Sequence, residues 1–256
     1  MTPHFAPGTP AWADISVPDI DRARTFYSAV NGWTIPPGND AFGGYTTASS
    51  GENGVAGLMP AMEGVPIAWC LYFASDDADA TAAAILDNGG ELMMPVTQVG
   101  DFGRMLVAMD PTGGAFGVWE ADQMVGFEAP GTPGSFCWCD LRSTDPDAAR
   151  AFYSSVFGWN YQAMEMAGPA YTTFSVAGAA EGSVPSGGVG DMMGAPDGVP
   201  SHWLVYFAVE DADASATAAA ANGGTLLAPA FDSPFGRMQP LLDPFGAALW
   251  LVQLPG

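Results

Sequence analysis

Ten residues near the start of the chain, RTFYSAVNGW at Arg24–Trp33, return as RAFYSSVFGW at Arg150–Trp159. A second stretch repeats in the same order, because CLYFASDDADATAAA from Cys70 returns as LVYFAVEDADASATAAA from Leu204. Repetition of this length, twice and in order, indicates that one structural unit has been duplicated. The sequence therefore predicts two similar domains in tandem.

The 256 residues suffice for two domains near the common size, and 48% hydrophobic residues can supply a core for each. We predict a first domain at residues 1–125, a linker at 126–133 that holds two prolines, and a second domain at 134–256. We call these domains the first copy and the second copy.

Local patterns predict the same order of elements in each copy, namely a strand, a helix and several strands, twice over. Residues Trp12–Val17 alternate in polarity as a strand does, and Asp19 then caps a helix that Gly32 ends. In the second copy Asp145 caps the helix and Gly158 ends it. Alanine-rich helices are expected at about residues 76–88 and 211–222.

Charge is the second strong signal, since the chain has 28 acidic residues, six arginines and no lysine, for a net charge of −22. The acidic residues are spread over both copies, with 15 before Phe127 and 13 after it. Such a field disfavours nucleic acid and anionic membranes and favours a cationic ligand. The alternative is that the acidity only keeps an alanine- and glycine-rich protein in solution.

The chain contains no apolar run of about 18 residues, so no membrane span is predicted. Its first residues, MTPHFAPGTP, lack the charged and then apolar order of a signal peptide. Three cysteines are an odd number and do not indicate a disulfide framework. We expect a cytoplasmic protein that is a monomer or a homodimer.

The repeated motifs resemble the vicinal oxygen chelate superfamily, which includes glyoxalase I, extradiol dioxygenases, fosfomycin-resistance enzymes and bleomycin-resistance proteins. Three repeated motifs carry the resemblance. The first is D-x-x-x-A-x-x-F-Y, which opens a helix and runs from Asp19 to Tyr27 and from Asp145 to Tyr153. The others are YFA-x-x-D-A-D-A, at the start of the next helix, and the D-P-x-G turns at Asp110 and Asp243. More narrowly, the chain is similar to a tandem two-domain group labelled glyoxalase-like.

This resemblance covers nearly the whole chain and implies an α+β fold of tandem glyoxalase-like domains. Four βαβββ modules would form curved mixed sheets around clefts. The pairing of the modules stays open, because each copy could close its own cleft or the copies could exchange halves, within one chain or between two.

The resemblance also implies positions for metal ligands, and the residues there are unsuited to that role. Tryptophan, leucine and glycine side chains supply no ligand atom, and one cysteine is too few for a divalent ion. The stretches 55–58 and 187–190, where a further acidic ligand would lie, contain no carboxylate. We therefore expect no metal and no other cofactor. The implied ligand positions are Trp12, Cys70 and Gly117 in the first copy, and Trp138, Leu204 and Trp250 in the second.

Side chains alternate along a strand, so each of these positions predicts neighbours on the same face of the cleft. Each cleft would be lined by indole and phenol rings and at least one acid, which suits a planar aromatic ligand that carries an amine. Gly117 is expected to leave room for it. The predicted ligand-binding residues are Trp12, Asp14, Cys70, Tyr72, Gly117, Trp119, Trp138, Asp140, Arg142, His202, Leu204, Tyr206 and Trp250.

Three functions remain open. The first is a metal-free protein that sequesters a hydrophobic, cationic aromatic antibiotic or polyketide, for self-resistance or as an accessory to antibiotic biosynthesis. The second is a metal-independent enzyme of polyketide biosynthesis that uses Asp14, Asp140 or His202 for proton transfer in an isomerase, cyclase or hydroxylation step. The third is a metal-dependent glyoxalase or dioxygenase whose ligands lie in another register.

Structural roles compete with each of these assignments. The aromatic rings could fill a collapsed cleft, and the two aspartates could bond the backbone or an arginine. His202 could be satisfied by a neighbour. Arg104 and Arg237, in matched F-G-R turns, are expected to form ion pairs with aspartate.

Overall fold

The computed structural model describes residues 5–164, 170–180, 182–184, 186–195 and 198–255. In these ranges four α-helices, one short 3-10 helix and sixteen strands follow the predicted order, so the predicted α+β fold is confirmed. The helices are α1 (Ile20–Asn31), α2 (Ala78–Asp87), α3 (Pro146–Phe157) and α4 (Ala212–Ala221), with the 3-10 helix at Asp40–Phe42. The strands of the first copy are β1 (Pro10–Val17), β2 (Thr46–Ser50), β3 (Asn53–Pro60), β4 (Trp69–Ala74), β5 (Glu91–Val99), β6 (Gly103–Met109) and β7 (Ala115–Ala121). Those of the second copy are β8 (Phe136–Arg142), β9 (Asn160–Ala163), β10 (Thr172–Ser175), β11 (Gly187–Gly190), β12 (His202–Ala208), β13 (Thr225–Leu226), β14 (Phe231–Ser233), β15 (Gly236–Leu242) and β16 (Ala248–Gln253).

The helix boundaries follow from local chemistry. The Asp19 side chain accepts a hydrogen bond from the Arg22 backbone amide at 2.9 Å, and Gly32 ends α1 with a φ of 73°. Asp145 and Gly158 do the same for α3. These predictions are confirmed. The α2 helix begins one residue later than expected, because Asp77 is the residue that caps it.

The chain divides into two compact units, and each unit combines parts of both copies. Unit 1 comprises residues 1–11, 70–126 and 139–203, and unit 2 comprises residues 12–69, 127–138 and 204–256. The second module of the first copy is therefore grouped with the first module of the second copy, and the two remaining modules form the other unit. The domain boundaries at 125 and 134 describe the sequence repeat and stay a prediction.

Unit 1 holds α2 and α3, which contact each other, and two groups of paired strands, β4-β7-β6-β5 and β8-β11-β10-β9. Its buried centre ties the two copies together. The Tyr153 hydroxyl of α3 donates to Asp110 in the D-P-T-G turn at 2.9 Å and accepts from the Trp203 indole at 3.0 Å. Burial, with Asp110 adding to it, raises the pKa of Tyr153, so this hydroxyl stays protonated.

Unit 2 repeats the arrangement with α1, α4, the strands β2-β3-β1 and the strands β13-β15-β16-β12, where β14 also pairs with β15. The Tyr27 hydroxyl of α1 donates to Asp243 in the D-P-F-G turn at 2.8 Å. Burial raises the pKa of both Tyr27 and Asp243. The F-Y and D-P-x-G motifs are therefore partners in the core and not groups that face a ligand.

The matched arginines form the ion pairs that the sequence predicted. Arg104 pairs with Asp79 at 2.6 Å and with Glu120 at 2.5 Å, while Arg237 pairs with Asp213 at 2.7 Å and Asp232 at 2.9 Å. Each arginine thus links the first turn of a helix to a strand. Among the described helices, none is long and apolar enough to cross a membrane.

Candidate functional site

In the first copy, Asp14 lies on β1 opposite Gly57 of the parallel strand β3 and is 7% exposed. The Trp12 indole donates to the Tyr45 hydroxyl at 2.8 Å, and that hydroxyl lies 3.5 Å from Asp14 Oδ2, to which it donates. Trp12 itself is only 4% exposed and packs against Phe127 with ring centroids 5.5 Å apart. Unit 2 therefore brings Trp12 and Asp14 together through a tyrosine that the sequence analysis missed.

In the second copy, Asp140 lies on β8 opposite Gly188 and is held more firmly. The Tyr171 hydroxyl donates to Asp140 Oδ1 at 2.7 Å, and the Arg142 guanidinium donates to Oδ2 at 2.9 Å. Asp140 and Arg142 are 3% and 7% exposed, and the guanidinium carbon lies 5.9 Å from the centre of the Tyr171 ring. Unit 1 thus contains a buried ion pair completed by a tyrosine.

Glycine makes room for both tyrosines. A Cβ atom on Gly57 would lie 1.8 Å from the Tyr45 hydroxyl oxygen, and one on Gly188 would lie 2.0 Å from that of Tyr171. Any side chain there would displace the hydroxyl from its aspartate. The sequence contained a signal for these tyrosines, because each begins a Tyr-Thr-Thr triplet at the matched point of its copy.

Three aromatic residues that the sequence predicts to bind a ligand, Trp138, Tyr206 and Trp250, form one cluster in unit 2. Tyr206 on β12 lies opposite Trp250 on β16, with ring centroids 5.1 Å apart. Phe231 meets Trp250 edge to face at 6.0 Å and is 41% exposed, while Trp138 and Trp250 are half-buried. Leu204 and Val252 are the buried base, against which Cys137, Met238 and Ala248 also pack.

One expectation about the first copy was wrong. Gly117 on β7 does not leave room for a ligand, because the Tyr72 ring of the neighbouring strand β4 covers it, and a Cβ atom there would lie 2.1 Å from that ring. Trp119 is 6% exposed, and its indole donates to the Met124 carbonyl at 2.8 Å. Cys70 is half-buried. These rings of unit 1 are therefore mostly covered.

The remaining candidates are His202 and the cysteines. His202 is half-buried at the start of β12, and its Nδ1 lies 2.9 Å from the Pro200 carbonyl oxygen. All three cysteines are in the thiol form, outside any disulfide bond. Burial raises the pKa of Cys137 to about 12, so its thiolate does not form near neutral pH and a nucleophilic role finds no support.

The residues do not fit a divalent metal ion. Within the described ranges, no group of three or more histidine, cysteine, aspartate or glutamate residues is placed to hold one. The strand positions implied by the resemblance hold a buried indole at Trp12, a ring-covered glycine at Gly117 and a half-buried indole at Trp250. We therefore derive no step through a metal.

The fold is that of glyoxalases and extradiol dioxygenases. The chain superimposes on the Mn(II)-bound glyoxalase from Novosphingobium aromaticivorans with a TM-score of 0.67, at 17% identity, over 97% of this chain and 82% of that one. It matches the 2,3-dioxygenase LapB from Pseudomonas sp. KL28 with a TM-score of 0.67, at 14% identity, over 99% and 96%. At these identities the likeness concerns the fold alone.

Sequence comparison adds the family. The pattern of the Glyoxalase/Bleomycin resistance protein/Dioxygenase superfamily matches residues 135–251. The protein described as "Putative glyoxylase CFP32" from Mycobacterium tuberculosis is 40% identical over 95% of this chain and 94% of its own length. The "Anthracycline biosynthesis protein DnrV" of Streptomyces peucetius is 37% identical over 98% and 94%. The chain belongs to the Glyoxalase/Bleomycin resistance protein/Dioxygenase superfamily.

Proposed function

We propose that the chain binds a planar aromatic small molecule that carries an amine, and that binding needs no metal ion. The observation that carries this proposal is that three of the six implied metal-ligand positions hold tryptophan, and two of these lie two residues before a strand carboxylate, Trp12 before Asp14 and Trp138 before Asp140. An anthracycline has the matching chemistry, since it joins a flat polycyclic ring system to an amino sugar. Two relatives, at 37% and 35% identity, are named for anthracycline biosynthesis.

The aromatic part of such a ligand suits the cluster of the second copy. Trp250 and Phe231 stand edge to face and both keep exposed surface, so a flat ring system can stack on one and meet the edge of the other. A well-placed aromatic pair contributes about 0.5–1.5 kcal/mol beyond the area it buries. Trp138, which is half-buried, belongs to the same cluster, and Tyr206, which is 3% exposed, packs against Trp250.

The amine suits a carboxylate on one of the two matched strands. Asp140 already accepts from the Arg142 guanidinium, and the residue matched to Arg142 in the first copy is Ser16. We therefore assign the ammonium group to Asp14. The net charge of −22 adds a general attraction for cations.

Such a protein would serve either to sequester an antibiotic or to hold an intermediate for a biosynthetic enzyme. We propose that it acts in the cytoplasm as a monomer or homodimer. Its partner would be the small molecule, with no nucleic acid.

Tryptophan fluorescence tests the proposal directly. Titration with daunorubicin should quench emission in a saturable way, and its aglycone, which lacks the amino sugar, should bind more weakly. Trp250→Phe should remove part of the quenching and Phe231→Ala should weaken binding. Trp33→Phe, at a buried position of unit 2 just after α1, serves as a control for general loss of emission. A linear, unsaturable response to both compounds would contradict the proposal.

A second candidate, a metal-independent enzyme, is favoured by one observation. Tyr171, Asp140 and Arg142 form a buried cluster in which the Tyr171 hydroxyl oxygen lies 2.7 Å from the Asp140 carboxylate oxygen to which it donates. Such a pair can pass a proton to and from a ligand. Mass analysis of candidate polyketides after incubation would detect turnover, and its loss in Tyr171→Phe with binding retained would favour this candidate.

A further inference from the structure

A cavity of about 380 Å³ in unit 2 lies between the end of α1 and the start of α4. Its polar lining consists of Asn31 and Ser50 on one side and Glu210, Asp211 and Ser215 on the other. None of these residues belongs to the aromatic and carboxylate sites described above. The cavity is therefore a separate place in the molecule.

Asn31 is the unusual member of this lining. It is 7% exposed, and both its Nδ2 and Oδ1 atoms are buried without a hydrogen-bond partner. Buried amides in native proteins are nearly always paired, because an unmet donor or acceptor is costly. A bound molecule would supply hydrogen-bond partners once the Asn31 amide turns toward the cavity. This turn breaks no hydrogen bond, because the amide makes none in its present position.

The matched position in unit 1 holds an apolar side chain. The residue matched to Asn31 is Phe157 at the end of α3, which packs on Phe73 at 5.5 Å and on Trp159 at 5.6 Å. Phe157 is thus an ordinary core residue in unit 1. Replacing its ring by a short amide removes volume and introduces polarity at the same point in unit 2.

The remaining lining determines the chemistry of the occupant. The Ser50 hydroxyl donates to the Pro133 carbonyl at 3.1 Å, and the Ser215 hydroxyl donates to the Val30 carbonyl at 2.9 Å. Both oxygens keep acceptor capacity, and Glu210 adds an exposed carboxylate. A lining rich in acceptors and negative charge selects a positively charged molecule rich in donors.

We infer that this cavity binds a small ammonium compound that carries neighbouring hydroxyl groups, such as an amino sugar or an amino alcohol. The ammonium lies toward Glu210, and Asn31 meets the hydroxyl groups as both donor and acceptor. The inference is independent of the aromatic ligand proposed above, because no residue is shared.

Glucosamine is the probe, and glucose, which has the hydroxyl groups without the charge, is its control. Nuclear magnetic resonance of the full chain should show a saturable shift of the Asn31 side-chain amide with glucosamine. Asn31→Phe, which installs the residue of the matched position, should weaken binding by more than about tenfold, and Glu210→Gln by about fivefold. Asp76→Asn, the matched substitution in unit 1, should leave binding unchanged.

Glu210 is exposed, so its substitution keeps the fold even if Asn31→Phe does not. Equal affinity for glucose and glucosamine would overturn the inference, as would binding that both variants retain. A folded wild-type protein that shows no saturable shift with glucosamine would overturn it as well.

Discussion

The two copies hold matched aspartates in different ways. In the first copy, Asp14 accepts a hydrogen bond from the Tyr45 hydroxyl at 3.5 Å, and the residue two positions further on is Ser16. In the second copy, Asp140 accepts a hydrogen bond from the Tyr171 hydroxyl at 2.7 Å. The residue matched to Ser16 is Arg142, whose guanidinium also donates to Asp140.

The neighbouring strand also differs between the copies, at the residue that lies opposite this position. Arg142 lies opposite Gly190 on β11, whereas Ser16 lies opposite Met59 on β3. A Cβ atom on Gly190 would lie 3.3 Å from the Arg142 guanidinium, so the larger side chain is matched by the smaller neighbour. Duplication has thus kept the tyrosine and the aspartate, and in the second copy an arginine has joined them.

Removing the arginine should have the largest effect. Arg142→Ser leaves the buried Asp140 without its counter-charge, so the free energy of unfolding should fall by about 3–5 kcal/mol in urea denaturation. Adding Asp140→Asn to this variant should restore much of the loss, and Ser16→Ala should change little. A loss below about 1 kcal/mol would show that the ion pair is not what holds this site.

Removing each carboxylate in turn should separate the two sites by ligand affinity. Asp14→Asn should weaken daunorubicin binding by about tenfold to a hundredfold, the range of a charged hydrogen bond. Asp140→Asn should weaken it by less than about threefold, because Arg142 already neutralises that charge. Calorimetric titration measures both affinities, and the reverse order would contradict the assignment of the amine to Asp14.

Removing the tyrosine hydroxyls should give a smaller contrast in stability. Tyr171→Phe should cost about 1–3 kcal/mol, since Tyr171 is 8% exposed and its bond to Asp140 is short. Tyr45→Phe should cost about 0.5–1.5 kcal/mol, because Tyr45 is half-buried and water can replace it. Equal losses in thermal unfolding would remove this difference between the copies.

The smallest effect is expected where the copies agree, at the exposed ion pairs. The Arg237 guanidinium lowers the pKa of Asp213. A carboxyl whose pKa is lower in the folded state contributes stability above its unfolded pKa and loses it as the pH falls through the folded one. The wild type should therefore be slightly more stable than Arg237→Gln at about pH 7, and the difference should shrink as the pH falls below about 4, through the lowered pKa of folded Asp213. A constant difference across this range, measured by thermal unfolding, would rule out the ion pair as its cause.

Much of the fold could be predicted because its signals are local. Asp19 and Gly32 mark the limits of α1 through their own side chain and backbone, and the repeat supplied the same marks again at Asp145 and Gly158. The ion pairs of Arg104 and Arg237 were also expected, because six arginines share this chain with 28 acidic residues. Their partners Asp79 and Asp213 lie 25 and 24 residues away, so no local pattern identified them.

The candidate site was harder because it depends on contacts between strands. Gly117 looked like open space in the sequence, and the ring that covers it comes from Tyr72 on another strand. Tyr45 lies 31 residues from its aspartate, so only the repeated Tyr-Thr-Thr triplet pointed to it. The bond from Tyr27 to Asp243 spans 216 residues and joins the two copies, which no local pattern specifies.

Calorimetric titration of the chelator-treated protein with daunorubicin tests the central claim most directly. The account predicts saturable binding that is unchanged when zinc, manganese or iron is added back, and weaker binding of the aglycone. Binding that appears only with an added metal ion, or no binding under either condition, would contradict it.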